Sequence, residues 1–140
     1  MWTYENKTLE NIPEGYVGFI YQITNKTTKK MYIGKKVFEN KKTKYRKNKR
    51  NVHYTVESNW KEYTGSNKTL NDEIIECGIE NYEFKILYLC KSRGEMTYLE
   101  SREIFIRDAL LYPDQYYNEW VSCKVTRNHL KKLISKNTEN

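Results

Sequence analysis

A chain of 140 residues with 13 tyrosines, two prolines and six glycines has the size and composition of one folded domain, which excludes a linker or low-complexity tail. Its net charge of +7 is concentrated: residues 26–50 hold twelve Lys/Arg and one acid, a local +11 that leaves −4 for the rest and points to a directed polyanion-binding surface. The chain lacks a long apolar run, a signal-peptide pattern and any paired cysteine motif. It therefore predicts no membrane span, no zinc site, no disulfide framework, and Cys77, Cys90 and Cys123 as buried free thiols in a reducing cytosol.

Residues 1–14 read as a lead-in without regular period, from which Trp2 and Tyr4 reach back to the core. The stretch Gly15 to Lys36, GYVGFIYQITNKTTKKMYIGKK, follows. Its two runs rich in β-branched and aromatic residues flank the polar connector NKTTKK, which predicts a β-hairpin. Side chains alternate along a strand, so Phe19, Tyr21 and Ile23 share one face, as do Tyr32, Gly34 and Lys36 on the partner strand. A correct register sets two phenols and an ammonium side by side, with Gly34 leaving room for a close approach to the backbone.

Residues 37–57 are hydrophilic and lysine-rich. Charge alone weighs equally for a solvated loop and a binding surface. Tyr45, His53 and Tyr54 among the cations favour nucleic acid, because Lys and Arg neutralise phosphates while rings stack on bases. The candidate contacts are Lys35, Lys41, Lys42, Lys44, Lys47, Lys49 and His53.

Residues 58–66, SNWKEYTGS, predict a short helical turn. Ser66 or Asn67 then caps a helix, KTLNDEIIEC, that Gly78 stops, with Leu70, Ile74 and Cys77 toward the core. Tyr82 to Cys90 alternates as a third, central strand. Ser92 and Glu95 form a capping box that opens the longest helix, from Arg93 to Leu111. On it Met96, Tyr98, Leu99, Phe105, Ile106, Ala109 and Leu110 cover one broad apolar arc. Glu103 falls within that arc and Glu100 at its border, so each calls for a cation, a metal or an edge open to solvent. A loop carrying Asn118 follows, then a basic helix capped by Thr126 with Leu130, Leu133 and Ile134 on one side, and a fraying KNTEN end. The order predicts an α+β fold: a small three-stranded antiparallel sheet, made of the hairpin plus the later central strand, flanked by helices. The expected units are a lead-in over 1–14, a domain over 15–120 and a short basic helix and tail over 121–140.

The hairpin resembles the GIY-YIG nuclease family. GFIY at 18–21 stands where the family has GIY, with Phe19 in place of its glycine, and YIG is intact at 32–34. YIGKK, WKEYTGSNKTL, EFKILYLC and then YLESREIF with YYN look like a phage-type, homing-endonuclease-like branch. The resemblance implies a metal-dependent DNA endonuclease acting on double-stranded DNA with Mg²⁺, for which Mn²⁺ substitutes, in the host cytoplasm if phage-encoded, and with a transient dimer for cutting both strands. It implies one glutamate as metal ligand. Family spacing favours Glu100, while helical position offers Glu103. It implies Tyr21 and Tyr32 as catalytic tyrosines, Tyr21 foremost as base, with Lys36 on the phosphate or the phenols. Asn118 matches the family's asparagine. The family's arginine falls on Arg50, four before Tyr54 as on one face of a helix, or on Arg46. The competing readings are a catalytically inactive basic nucleic-acid-binding module with the same fold, and an RNA-directed protein.

Overall fold

The computed structural model describes residues 1–138. The lead-in is not irregular. It forms two short strands, β1 (Thr3–Tyr4) and β2 (Lys7–Thr8), that turn back on each other. The anchor is Trp2, which is 1 % exposed, packs against Phe19, Tyr21 and Phe84, and donates its indole N–H to the Trp60 carbonyl at 2.7 Å.

The hairpin forms as β3 (Gly18–Asn25) and β4 (Met31–Val37), with Phe19 opposite Lys36, Tyr21 opposite Gly34 and Ile23 opposite Tyr32. Asn25 closes the connector: its side-chain oxygen accepts from the Thr27 and Thr28 amides at 2.9 and 3.1 Å, the local bonding that suits Asn to turns. The basic segment is neither loop nor helix. It is a second hairpin, β5 (Glu39–Lys44) and β6 (Val52–Glu57), joined to β4 through buried Phe38. A two-residue period, Val52, Tyr54, Val56, runs through this polar stretch and accounts for the strand.

Helix α1 (Lys68–Cys77) is capped by Asn67, whose side chain accepts from the Leu70 amide at 2.9 Å, and ends at Gly78 in a positive-φ conformation. Leu70 and Ile74 are buried; Cys77, expected inward, is exposed, as is Cys123, and only Cys90 is buried. Strand β7 (Tyr82–Cys90) pairs antiparallel with β3 and parallel with β1. The sheet is therefore five-stranded and mixed, in the order β2-β1-β7-β3-β4, rather than three-stranded. Its antiparallel trio is the expected one, and β7 does lie in the middle.

Helix α2 (Arg93–Ile106) opens on Ser92, whose hydroxyl accepts from the Glu95 amide at 3.1 Å. It ends earlier than expected because Asp108 adopts a left-handed conformation and redirects the chain into a short 3-10 turn, Ala109–Leu111. The expected arc also divides: Met96, Leu99 and Ala109 are buried, whereas Tyr98, Phe105, Ile106 and Leu110 are exposed, because α2 packs the face of Met96, Leu99 and Ile104 against the sheet. Helix α3 (Lys131–Thr138) follows a 3-10 turn that Thr126 precedes. It covers part of the expected frayed end, and residues 139–140 lie outside the described region. Among the described residues no helix is long and apolar enough to cross a membrane.

Two apolar clusters, one on each sheet face, hold these layers together. Phe19, Tyr21, Ile23, Phe84 and Ile86 pack with Trp2, Trp60, Leu70 and Ile74, and Ile20 and Ile33 pack with Met96, Leu99 and Ile104 of α2. Full burial of one such side chain contributes about 1.5–3 kcal/mol. β4 is left as an edge, with α1 and α2 on opposite sides of it.

Candidate active site

The edge strand β4 organises a cleft of about 460 Å³ whose lining includes Tyr21, Tyr32, Lys35, Glu100 and Asn118. Alternation along β4 sends Tyr32 to the α1 side, while Ile33 and Lys35 turn to the α2 side. Groups from both sheet faces therefore meet only around this edge.

Gly34 is required by its neighbour across the hairpin. A Cβ there would collide with the ring and hydroxyl of Tyr21, so the room expected for a ligand is occupied by that phenol. Tyr21 is 1 % exposed, and its ring lies 6.2 Å from Tyr32 and 6.1 Å from Tyr63. Burial, reinforced by the neighbouring Tyr32, Tyr63 and Glu100, pushes its phenol well above the ordinary tyrosine value. Tyr32 is only half-buried and shares a 3.0 Å hydrogen bond with Ser66 Oγ. Burial raises its phenol too, against the lowering effect of the Ser66 bond.

On the other side stand the two glutamates of α2. Glu103 is buried and satisfied: Tyr88 Oη donates to it at 2.6 Å, and Arg107 Nε donates at 3.0 Å. Arg107 in turn donates to Gln22 Oε1 at 2.8 Å. Glu100 is half-buried in the cleft wall, with no hydrogen bond or ion pair among the described residues. Desolvation raises its carboxyl above the usual range, and Lys35 partly opposes the shift. The Lys35 ammonium is held by Thr97 Oγ1 at 3.0 Å.

Asn118 braces the edge. Its side-chain oxygen accepts from the Ile33 amide at 3.0 Å and its NH₂ donates to the Ile33 carbonyl at 2.8 Å, so one side chain extends the backbone pairing that Gln115 and Tyr117 make with Met31. Lys36 sits over Tyr63, its ammonium 4.1 Å from the ring centroid, and burial lowers its pKa. A second groove shares Lys35 and runs past Lys36, Tyr63 and Arg93.

Tyr21, Tyr32, Lys35, Glu100 and Asn118 are thus brought together, with Lys36 beside them. Arg46, Arg50, Lys41, Lys42, Lys44, Lys47, Lys49 and His53 are carried instead on the β5–β6 hairpin. There Arg46 donates through Nε and Nη2 to the Arg50 carbonyl across the tip, and Thr43 bonds His53. Phe19, the departure from the family's glycine, is fully buried among Trp2, Phe38 and Trp60 and does not line the cleft.

Sequence reasoning missed Tyr63, Ser66, Glu119 and Trp120. Ser66, Glu119 and Trp120 line the cleft; Trp120 is 73 % exposed. Adjacency to Asn118 was the available signal for Glu119 and Trp120. Tyr63 had none, since only the fold sets it against Tyr21.

The arrangement offers a desolvated anion, two neutral phenols and fixed ammonium groups around one opening. Among the described residues no three His, Cys, Asp or Glu side chains cluster, so a cation here would have Glu100 and Glu119 as the cleft's two carboxylates, with water and substrate filling its shell. The family model described as "Putative endonuclease segE, GIY-YIG domain" matches residues 2–121. No curated protein and no solved structure matches the chain.

Proposed function

The chain belongs to the GIY-YIG endonuclease family, and on that premise we propose that it hydrolyses phosphodiester bonds of double-stranded DNA with a divalent cation held by Glu100. One observation carries the reading: Glu100 is a desolvated carboxylate with no hydrogen bond or ion pair among the described residues and Lys35 nearby, in the cleft that holds Tyr21, Tyr32, Lys35 and Asn118. Such a donor set suits Mg²⁺, with Mn²⁺ able to substitute, because a small hard cation keeps most of its shell as water and phosphate oxygen. When bound, the cation supplies charge stabilisation to the phosphate.

The protein's own groups do the rest. Tyr21, held neutral by burial, serves as a hydrogen-bond donor toward the reacting phosphate or water. Tyr32, half-exposed and steered by Ser66, orients the attacking water. Lys35 and Lys36 neutralise the phosphate, and Asn118 keeps the edge strand in place. Arg46, Arg50, Lys41, Lys42, Lys44, Lys47, Lys49 and His53 contact DNA away from the bond that breaks. We take the catalytic unit, expected over 15–120, to include the lead-in, since Trp2 packs in the core and the family match covers residues 2–121. A single cleft cuts one strand at a time, so a double-strand break needs two copies pairing transiently on DNA. A phage-type homing role in the host cytoplasm is the finer reading that this family and the free thiols support.

The test is incubation of the full chain with supercoiled plasmid in Mg²⁺. Nicked or linear product is expected, and Glu100→Ala should abolish it while DNA binding persists. Full cleavage by the Glu100→Ala/Glu103→Ala double variant would overturn the metal assignment. Intact plasmid in both Mg²⁺ and Mn²⁺, with steeply salt-dependent binding, would favour a non-catalytic binding module. Preferential cutting of structured RNA in a parallel reaction would move the substrate class.

A further inference from the structure

Beyond its root, where Glu57 accepts from the Trp60 indole N–H at 2.9 Å, the β5–β6 hairpin contributes no residue to either apolar cluster. Every residue of β6 is exposed, and an isolated two-stranded hairpin in water is marginal. Its attachment is at the root, where the Ser58 amide donates to the Phe38 carbonyl at 2.8 Å and Phe38 is buried among Phe19 and Trp60. Its two acids, Glu39 and Glu57, face each other at that root, and all seven cations lie toward the tip.

The cross-strand register sorts the side chains. Asn40, Lys42 and Lys44 pair with Val56, Tyr54 and Val52, so these six share one face. Val52, Tyr54 and Val56 on it are 39 %, 47 % and 44 % exposed, an apolar stripe bordered by ammonium groups that belongs to neither core cluster. The opposite face, through Lys41 and Thr55, borders a hollow of about 430 Å³ to which Lys91, Arg93 and Lys132 also contribute, against a single acid, Glu39.

We propose that this ribbon enters the major groove of duplex DNA, with the Lys42–Lys44–Tyr54 face toward the base edges and the cationic hollow beside the phosphate backbone. The inference rests on the reading of the chain as a DNA endonuclease and adds how it holds its substrate. The B-form major groove is about 12 Å wide and admits a two-stranded ribbon. Lysine and asparagine reach purine acceptors there, and valine and tyrosine meet thymine methyls. The deep, narrow major groove of A-form RNA does not admit such an element. β4 runs into β5 through Phe38, so the strand that carries Tyr32 also carries the ribbon. Ten residues separate Tyr32 from Lys42, a span of at most about 33 Å, or roughly one turn of DNA. The groove contact therefore lies within about one turn of the cut.

The experiment uses the full chain with cleavage silenced by Glu100→Ala, titrated against a labelled DNA duplex and an RNA duplex. Adding Lys42→Ala/Lys44→Ala/Tyr54→Ala should weaken DNA binding roughly tenfold or more and flatten its salt dependence by about two counterions. Adding Lys42→Ala/Lys44→Ala alone keeps Tyr54 and gives the same direction if the ribbon stays folded. Guanine N7 methylation, which fills the major groove, should block binding within a turn of the cut, whereas adenine N3 methylation in the minor groove should not. Unchanged affinity of both ribbon variants, interference only from adenine N3, or equal binding of duplex RNA would overturn the proposal. Binding is read with cleavage silenced, so the two readings fail separately. An inactive parent enzyme that still binds through the ribbon removes only the nuclease reading. An active enzyme indifferent to the ribbon removes only this one.

Discussion

Glu100 and Glu103 stand less than one turn apart on α2, and their surroundings are opposite. Glu103 receives Tyr88 and Arg107, and Arg107 is itself tied to Gln22 on β3, so the buried charge is neutralised and its oxygens are filled. Glu100 has lost much of its water at the cleft wall and has only the nearby Lys35 to offset this. A carboxylate that is desolvated and left unpaired destabilises a fold. The difference teaches that α2 uses one acid to fasten itself to the sheet and leaves the other in the cleft wall with no hydrogen bond among the described residues.

The largest effect should come from Glu100→Gln. Removing the charge should lower plasmid cleavage by roughly three orders of magnitude, read as the initial nicking rate. The same variant should melt at a higher temperature than wild type at pH 7. The sign follows from the raised carboxyl: the native state holds that proton more tightly than the unfolded chain does. Its stabilising share is full below the unfolded pKa and is lost as pH rises through the folded one. The melting gap between variant and wild type should thus close as pH falls through the carboxylate range. A gap of the opposite sign at pH 7 would remove the contrast between the two acids.

Glu103→Ala should act on stability instead. It strands Arg107 and Tyr88 in a partly buried site and should cost about 3 kcal/mol in a denaturant melt. Nicking per folded molecule should change far less than with Glu100→Gln. Asn118→Ala sharpens the comparison from the strand side. It frees the amide and carbonyl of Ile33 and should cost about 1–2 kcal/mol, with cleavage falling because β4 loses its brace. Smallest should be Tyr88→Phe, which deletes one hydrogen bond to Glu103 for about 1 kcal/mol. Its phenol should titrate above the ordinary value, chiefly because of that bond, and Glu103→Gln should bring it back down in a spectroscopic titration.

Much of the frame was legible from short-range pattern. The hairpin, its facing rows, the Asn67 and Ser92 caps and the stop at Gly78 each depend on a few neighbouring residues. The same logic misled at residues 37–57, where high charge masked a two-residue period and the segment read as a loop. It also misled on α2, where Asp108 ends the helix before Leu111 and the buried face runs through Met96, Leu99 and Ile104 rather than through Tyr98, Phe105 and Ile106. The lead-in was illegible for another reason: β1 and β2 pair with each other but join the main sheet through β7, about eighty residues later.

By itself the sequence determined the local elements, the clustering of cations after YIG, and the set of groups from which a site could be built: two tyrosines, two glutamates on one helix and a late asparagine. Alternation, helical period and capping are properties of adjacent residues, and charge density is a property of composition. Only the tertiary structure decided which glutamate is neutralised, that the space over Gly34 belongs to Tyr21, and that the arginines sit on a ribbon beyond the cleft. Those outcomes depend on burial and on partners far apart in the chain, such as Gln22 with Arg107 or Ile33 with Asn118. Desolvation and pairing exist only once the layers have closed.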